Sequence, residues 1–223
     1  MPPAFSDVEF AAFLVYPSAG GATRSESERK AKNLIINMKQ LRVSPRLDPP
    51  HVLDFIFSRF EKAATAPPFQ QFFDNPGMAV IAAPSSSLTR PNSVACPPAI
   101  AQCFLLAGMA SRVLPAVHRM KPVPKAAYSV ASERPTLLTH YESMGLPKVV
   151  LVDPPTDILV VDDVVTSGAT LLAAVTLTRE AYPAARVRAF GMARTDRVPA
   201  GQLSEPIVGV IEVGADGRTR RRP

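Results

Sequence analysis

Two adjacent carboxylates and a short hydroxyl-rich loop form the stretch of this chain best suited to chemistry. Asp162 and Asp163 directly follow the apolar run Ile158–Val161, which predicts a strand buried on both faces. A small polar loop then leads into the apolar segment Leu171–Leu177, which predicts a helix. This order places polar groups at the carboxyl end of a parallel strand, where open α/β sheets bind their ligands.

The loop between strand and helix suits a phosphate. A helix that begins near Thr170 presents unpaired backbone N–H groups and the positive end of its dipole. Gly168 lets the backbone approach an anion closely, and neighbouring hydroxyls add donors. An acidic turn with a Ser/Thr helix cap is the plainer alternative. The predicted phosphate-binding residues are six consecutive positions: Val165, Thr166, Ser167, Gly168, Ala169 and Thr170.

The carboxylates need a different partner, because like charges repel. Asp162 and Asp163 match neighbouring sugar hydroxyls, or water bound to a Mg²⁺ ion. A sugar 5-phosphate with free hydroxyls satisfies both the acids and the loop. We therefore predict Asp162 and Asp163 as ligands of sugar hydroxyls or, through water, of a metal ion.

The thirteen residues Ile158–Thr170 resemble the phosphoribosyl-pyrophosphate (PRPP) signature of type I phosphoribosyltransferases. The resemblance implies an α/β fold of that type, with a central mostly parallel sheet, helices on both faces and a small hood. It implies Mg²⁺ as cofactor, and PRPP or a nucleoside monophosphate as ligand. By this resemblance Asp162 and Asp163 would be the catalytic residues, and would hold the 3′ and 2′ hydroxyls while pyrophosphate leaves C1 and a nitrogen nucleophile attacks.

A looser resemblance, over roughly residues 30–197, is to the ComF-like branch of that family. It includes Lys39 at a helix end and a strand ending at Ala83-Pro84. The zinc-ribbon cysteines common in that branch are missing from this sequence, which puts a DNA-uptake role in doubt. Thr166 stands where purine-salvage members carry an aspartate, and a threonine is no general base near neutral pH. The pattern resembles orotate-type, amidotransferase-type or ComF-like members more closely.

The family's pyrophosphate site implies two further groups of residues. One is the loop after Pro84, where an ordinary Ser-rich turn is the alternative. The other is a basic segment comparable to the family's flexible loop, where a solvated loop is the alternative. The predicted pyrophosphate-binding residues are Ser85, Ser86, Ser87, Arg90, Arg119 and Lys121.

Three functions fit these motifs. The first is a phosphoribosyltransferase. The second is a non-catalytic sensor of PRPP or nucleotide that regulates a partner, since fold alone does not decide activity. The third, weaker reading is a protein–protein component of a larger assembly.

The remaining elements should position this site in one domain, residues 1–216, with the best-matched core at about 75–197. Alternating patterns predict βαβ units and a parallel sheet. Ser25 and Glu28 form a predicted capping box. The other predicted elements are strands at Phe5–Tyr16, Met78–Ala83, Val113–Val117, Val149–Val152, Val187–Phe190 and Ile207–Val213, and helices from about Ser25, from Asp48-Pro49, and at Pro98–Ala110.

Composition limits the cell biology. The 223-residue chain has a net charge of +6, and the basic tail 217–223 should be disordered. Nucleic-acid binding through that tail is not favoured, and a homodimer stays open. Neither a membrane-spanning run nor a signal peptide is predicted, so the expected location is the cytoplasm. Cys96 and Cys103 should form neither a disulfide nor a zinc site.

Overall fold

A seven-stranded, mostly parallel sheet organises the chain in the computed structural model, which describes residues 3–17, 25–84, 95–123, 135–147, 149–196 and 204–223. Its strands are β1 (Val8–Pro17), β2 (Ala79–Ala82), β3 (Arg112–Val113), β6 (Asp157–Val165), β7 (Arg186–Asp196), β8 (Ser204–Val213) and β9 (Thr219–Arg222). The spatial order is β3-β2-β6-β7-β1-β8-β9. The first five strands in this spatial order are parallel to one another, and β8 and β9 extend the sheet in antiparallel fashion. The predicted α/β class with a mostly parallel sheet is confirmed.

Helices cover both faces of this sheet, as predicted. One apolar cluster lies under α1 (Glu26–Lys39), α2 (Val52–Ala64) and α3 (Cys96–Leu106). The other lies under α4 (Leu137–Glu142) and α5 (Ala169–Ala181). A small second sheet pairs β4 (His118–Arg119) with β5 (Met144–Gly145). Within the described parts of the chain, no helix is both long and apolar enough to cross a membrane.

Helix α1 begins at the predicted capping box. The Ser25 hydroxyl accepts a hydrogen bond from the Glu28 backbone N–H at 3.2 Å, and the Glu28 carboxylate accepts one from the Ser25 N–H at 2.7 Å. Two N–H groups that the helix itself cannot pair are satisfied in this way. The box fixes the start of the helix whose other end carries Lys39.

Strand β6 separates the two carboxylates of the acidic pair. Successive side chains of a strand point to opposite faces of its sheet. Leu159 and Val161 accordingly belong to the cluster under α1–α3, and Ile158 and Val160 to the cluster under α4 and α5. Asp163 continues the first series and Asp162 the second, so each acid faces a different set of helices.

Three element predictions differ from the structure. The segment 149–152 forms no strand, and Val150 is fully exposed, because its apolar residues find no neighbouring strand to pair with. The strand predicted at Val113–Val117 shrinks to β3, since Pro115 has no N–H to donate. Helix α3 ends at Leu106, before Gly108 with φ +69°.

The prediction of a disordered tail is wrong. After a turn in which Gly214 N–H donates to the Arg218 carbonyl at 2.7 Å, residues Thr219–Arg222 form β9 and pair with the exposed edge of β8. Arg222 also forms an ion pair with Glu212 at 2.8 Å. The tail lacks apolar residues, but a strand edge offers backbone hydrogen bonds to any extended segment. Backbone pairing therefore orders it.

Candidate functional site

The acidic pair lies at the carboxyl edge of the parallel strands. Strand β2 ends where Ala82 pairs with Val161, and the N–H of Ala83 donates to the Val161 carbonyl at 2.8 Å. Strand β6 continues past this point, so Asp162 and Asp163 project beside the place where the chain leaves β2. The acids are thus part of β6 and do not follow it, but they occupy the predicted edge.

The loop after β6 leads into a helix that begins one residue before the predicted start near Thr170. Helix α5 begins at Ala169, and Gly168 caps it with φ +93° and ψ 0°, a left-handed conformation that L side chains rarely adopt. A Cβ at position 168 would also lie 2.8 Å from the Ile211 side chain. Thr166 and Ser167 are exposed. Glycine is therefore required at the point where the backbone turns into the helix.

Asp162 and this loop border one concavity, which brings the two halves of the predicted site together. Its lining residues are Asp162, Val164, Val165, Thr166, Gly168, Thr170 and Leu171. The concavity contains a carboxyl group, two hydroxyls and the first turn of α5. Its volume is about 20 Å³, so it receives single polar atoms: it can accept a hydrogen bond from a hydroxyl and donate one to an oxygen of an anion.

Burial gives Asp162 an unusual acidity. Only 8% of the residue is exposed, and burial, followed by the charge of Asp163, raises the pKa of Asp162 to about 7. The N–H of Asp163 donates to Oδ1 of Asp162 at 2.8 Å. This hydrogen bond and the charges of Lys39 and Arg119 lower the pKa of Asp162 and so limit its increase. Near neutral pH this carboxyl group exists in both protonation states.

Asp163 has a cation from the opposite face. Its Oδ1 lies 3.1 Å from Nζ of Lys39, the last residue of α1. Burial lowers the pKa of Lys39, but Asp163 and Asp162 outweigh that effect and the net pKa is raised. On the same face, burial and then Asp163 raise the pKa of Cys96, so its thiol stays protonated. The sequence indicated Lys39 only through a resemblance, and not as a partner of the acid.

Arg119 lies inside the protein and not on an exposed loop. Only 5% of it is exposed. Its guanidinium donates to the His140 carbonyl at 3.3 Å, to His140 Nδ1 at 2.9 Å and to the Ser143 hydroxyl. Burial lowers the pKa of Arg119 to about 10, and Asp162 counteracts that effect. Arg119 thus reaches the Asp162 side of the sheet, and its role in pyrophosphate binding stays a prediction.

Of the other predicted pyrophosphate-binding residues, Lys121 is in the described part of the chain. It is exposed, two residues after Arg119. The remaining four lie outside the described residues: Ser85, Ser86, Ser87 and Arg90.

His140 is a site residue that the sequence did not reveal. It is 7% exposed, and its Nδ1 lies 3.5 Å from Oγ1 of Thr170 in the predicted phosphate loop. Burial, followed by the charge of Arg119, lowers the pKa of His140 to about 4, so the ring is neutral at pH 7. The Ser143 hydroxyl donates a hydrogen bond to the His140 carbonyl at 2.7 Å. No local motif around positions 140–143 marks them, since the contacts that link them to the site come from Arg119 and Thr170, more than 20 positions away.

Direct metal coordination finds little support among the described residues, where no group of three or more His, Cys, Asp and Glu side chains is arranged to hold an ion. The carboxylates of Asp162 and Asp163 are nevertheless hard oxygen donors of the kind that Mg²⁺ accepts. They fit contact through water, the mode that the sequence predicts.

Comparisons with known proteins give distant likenesses among solved structures. No family model matches the chain, and no curated protein matches it. Among solved structures, a crystal structure of an adenine phosphoribosyltransferase superposes with a TM-score of 0.38 and 14% sequence identity, over 67% of this chain and 76% of that one. A likeness at this level leaves the functional argument to the residues of the site.

Proposed function

We propose that this protein is a phosphoribosyltransferase that binds PRPP between the acidic pair and the loop after β6. The observation that carries the proposal is that Asp162 and the loop residues line one concavity at the carboxyl edge of the sheet. A phosphorylated sugar has hydroxyls that need acceptors, such as the carboxylates, and a phosphate that needs donors, such as those of the loop. Both kinds of group are adjacent here.

The 5-phosphate would occupy the loop. There it meets the exposed hydroxyls of Thr166 and Ser167, and the N–H groups of the first turn of α5, which carry the positive end of the helix dipole. The left-handed Gly168 lets the backbone turn into the helix here while it packs against the Ile211 side chain. This end of the ligand would act as an anchor, since its contacts are distant from the bond that breaks.

The ribose hydroxyls would face the acids. In its ionised form, Asp162 accepts hydrogen bonds from adjacent hydroxyls, and its pKa of about 7 places that form within the physiological range. Asp163, which forms an ion pair with Lys39 at 3.1 Å, offers a second acceptor. The pair would hold the sugar by its 2′ and 3′ hydroxyls and so fix the position of C1.

In the reaction, the bond between C1 and the pyrophosphate oxygen breaks as a bond between C1 and a nitrogen forms, and pyrophosphate leaves with the electron pair. Bound Mg²⁺ would offset the negative charge on the departing pyrophosphate. The chain's own part is to anchor the phosphate and orient the sugar, because positioning alone lowers the barrier substantially. The ComF-like affiliation, the acceptor nitrogen, a homodimer and a cytoplasmic location are open predictions.

A ligand screen by thermal unfolding tests the proposal. A ligand that binds only the folded protein raises its Tm by mass action. PRPP, ribose 5-phosphate, nucleoside monophosphates, pyrophosphate and unphosphorylated ribose are compared, with and without Mg²⁺. We expect the phosphorylated sugars to raise the Tm and ribose to leave it unchanged.

Matched variants assign the effect to the loop. A double variant, Thr166→Val with Ser167→Ala, should lose most of the Tm shift, while Thr65→Val at the exposed end of α2 should keep it. No shift with any phosphorylated sugar would contradict the proposal. A shift without pyrophosphate release, across a panel of nitrogen acceptors, would favour the sensor instead.

A further inference from the structure

A buried polar group connects the small second sheet to the proposed phosphate loop. Arg119 of β4 donates to His140 of α4 through both its carbonyl and its Nδ1, and to Ser143. Ser143 donates in turn to the His140 carbonyl at 2.7 Å. Thr170, in the first turn of α5, stands 3.5 Å from the same Nδ1. The group therefore ends at a hydroxyl that lines the concavity.

The chemistry of arginine determines the state of the histidine ring. A guanidinium has only donors, so Nδ1 of His140 must be the acceptor at 2.9 Å, and the ring proton is on Nε2. The hydroxyl of Thr170 meets the same acceptor at longer range, as the weaker of two donors. Its hydrogen is thus directed by the ring but held loosely enough to be given to another acceptor.

We propose that His140 is a positioning residue for ligand phosphate: it orients the Thr170 hydroxyl, and Arg119 and Ser143 hold it in place. The proposal rests on the proposed function, because it assumes that the loop binds the 5-phosphate. The His140 ring sets the side chain of Thr170 before the ligand arrives, so a phosphate oxygen in the concavity meets a hydroxyl that needs no further ordering. When that hydroxyl turns to the phosphate, Arg119 keeps Nδ1 paired, and no buried acceptor is left without a donor.

The packing of α4 makes this role feasible. The Tyr141 hydroxyl donates to the Glu180 carboxylate at 2.7 Å, which ties α4 to the last turns of α5. His140, the residue before Tyr141, is thereby held at a fixed distance from the first turn of α5. A ring on a separately mobile element could not specify the rotamer of Thr170 to the precision that a phosphate contact needs.

Affinity for ribose 5-phosphate and for inorganic phosphate, measured by calorimetry at pH 7.5, tests the role. His140→Asn keeps a carbonyl acceptor near the Nδ1 position and should bind within about twofold of the natural protein. His140→Leu removes the acceptor and should weaken both ligands by about threefold to tenfold. Thr170→Val should cost a similar factor alone and little more on top of His140→Leu, because both remove the same contact. His118→Leu, at an exposed position of β4, is the matched control.

Nitrogen-15 NMR of the natural protein gives a readout that does not depend on the variants. Its three histidines are His51, His118 and His140, so two rings serve as internal references. We expect the Nε2–H form for His140, and a shift of its Nδ1 resonance when ribose 5-phosphate is added, with the other two rings unmoved. This measurement decides the question even if His140→Leu fails to fold.

The outcomes separate the two proposals. No binding of ribose 5-phosphate by the natural protein would overturn the proposed function and this role together. Binding that leaves the His140 resonances unchanged, or that survives Thr170→Val undiminished, would overturn the role of His140 alone. An additive double variant would do the same.

Discussion

Nζ of Lys39, at the end of α1, lies 3.1 Å from Oδ1 of Asp163, at the carboxyl edge of β6. Asp162, the preceding residue, points to the other face of the sheet, and the charges of Lys39 and then Arg119 both act to lower its pKa. Alternation along one strand thus gives Asp163 a direct ion pair and places Asp162 between cations on both faces.

Replacing Lys39 should change the pH dependence of ligand binding. Lys39 lowers the pKa of Asp162, so Lys39→Met should raise that pKa above about 7 and leave less of the carboxylate ionised at pH 7. We expect affinity for ribose 5-phosphate to fall severalfold at pH 7 and to recover towards pH 8.5. Calorimetry across this range is the measurement. Lys62→Met, in the last turn of α2, is the control, and identical pH profiles for the two variants would disprove the coupling.

Asp162→Asn should weaken ligand binding and increase the stability of the folded protein above neutral pH. The pKa of Asp162 rises from 3.8 to about 7 on folding, so the folded protein binds more protons than the unfolded chain between these values. Stability is therefore lost as the pH rises through this window. The asparagine variant escapes the loss and should be roughly 2–4 kcal/mol more stable than the natural protein at pH 8, with the difference vanishing near pH 4.

Urea unfolding at several pH values measures this difference in stability. The substitution is conservative, because the Asn side-chain carbonyl can still accept the hydrogen bond from the Asp163 N–H. The variant should bind ribose 5-phosphate less tightly than the natural protein. Equal stability of the two proteins at pH 8 would mean that folding does not raise the pKa of Asp162.

A buried ion pair that is remote from the site should matter for stability alone. Nη2 of Arg188 lies 2.6 Å from Oδ2 of Asp157, at the start of β6, with side-chain exposures of 1% and 9%. Arg188→Leu strands a buried carboxylate and should cost about 3–5 kcal/mol. Arg186→Leu, which breaks a half-exposed pair with Glu9, should cost less than about 1 kcal/mol.

Both variants should keep the ligand affinity of the natural protein, once each is measured at a temperature where it is folded. A double variant, Arg188→Leu with Asp157→Leu, removes both charges and should recover much of the loss. A loss of affinity in Arg188→Leu would show that this pair also supports the site.

Deleting residues 217–223 should destabilise the protein, because the deletion removes β9 from the edge of β8. We expect a loss on the order of 2 kcal/mol in the free energy of unfolding, from the ladder bonds and the buried Thr219. Arg220→Gln, an exposed position on the same strand, should change it by less than about 0.5 kcal/mol. An unchanged Tm after the deletion would indicate that β9 contributes nothing to stability.

The same truncation tests the nucleic-acid alternative. Each arginine that neutralises a phosphate adds about 0.9 to the salt slope of duplex binding. Arg222 already pairs with Glu212, and Arg221 donates to Thr195, so part of the charge serves the fold. We expect no measurable duplex binding at about 50 mM salt. Binding that disappears on truncation would favour a regulator.

The local features of the site were predictable from sequence because their causes are local. A β-branched apolar run, a glycine at the turn and hydroxyls at a helix start each impose their own backbone preference, and the structure places Asp162 with the loop as expected. The capping box of Ser25 is another such case.

What the sequence could not predict depends on contacts between distant segments. The approach of Lys39 to Asp163 requires the packing of α1 on the sheet, and that of Arg119 to His140 requires the pairing of β4 with β5. The tail forms a strand only because β8 leaves an edge open. Conversely, residues 149–152 have strand propensity but no neighbour to pair with.

Calorimetric titration of the natural protein with ribose 5-phosphate, ribose and inorganic phosphate tests the central claim most directly. If the loop holds the phosphate while Asp162 and Asp163 hold the hydroxyls, ribose 5-phosphate should bind at one site, at least tenfold more tightly than either fragment. Alanine at both acids should then reduce its affinity to that of inorganic phosphate. Equal affinity for ribose 5-phosphate and inorganic phosphate, or no binding of either, would contradict the claim.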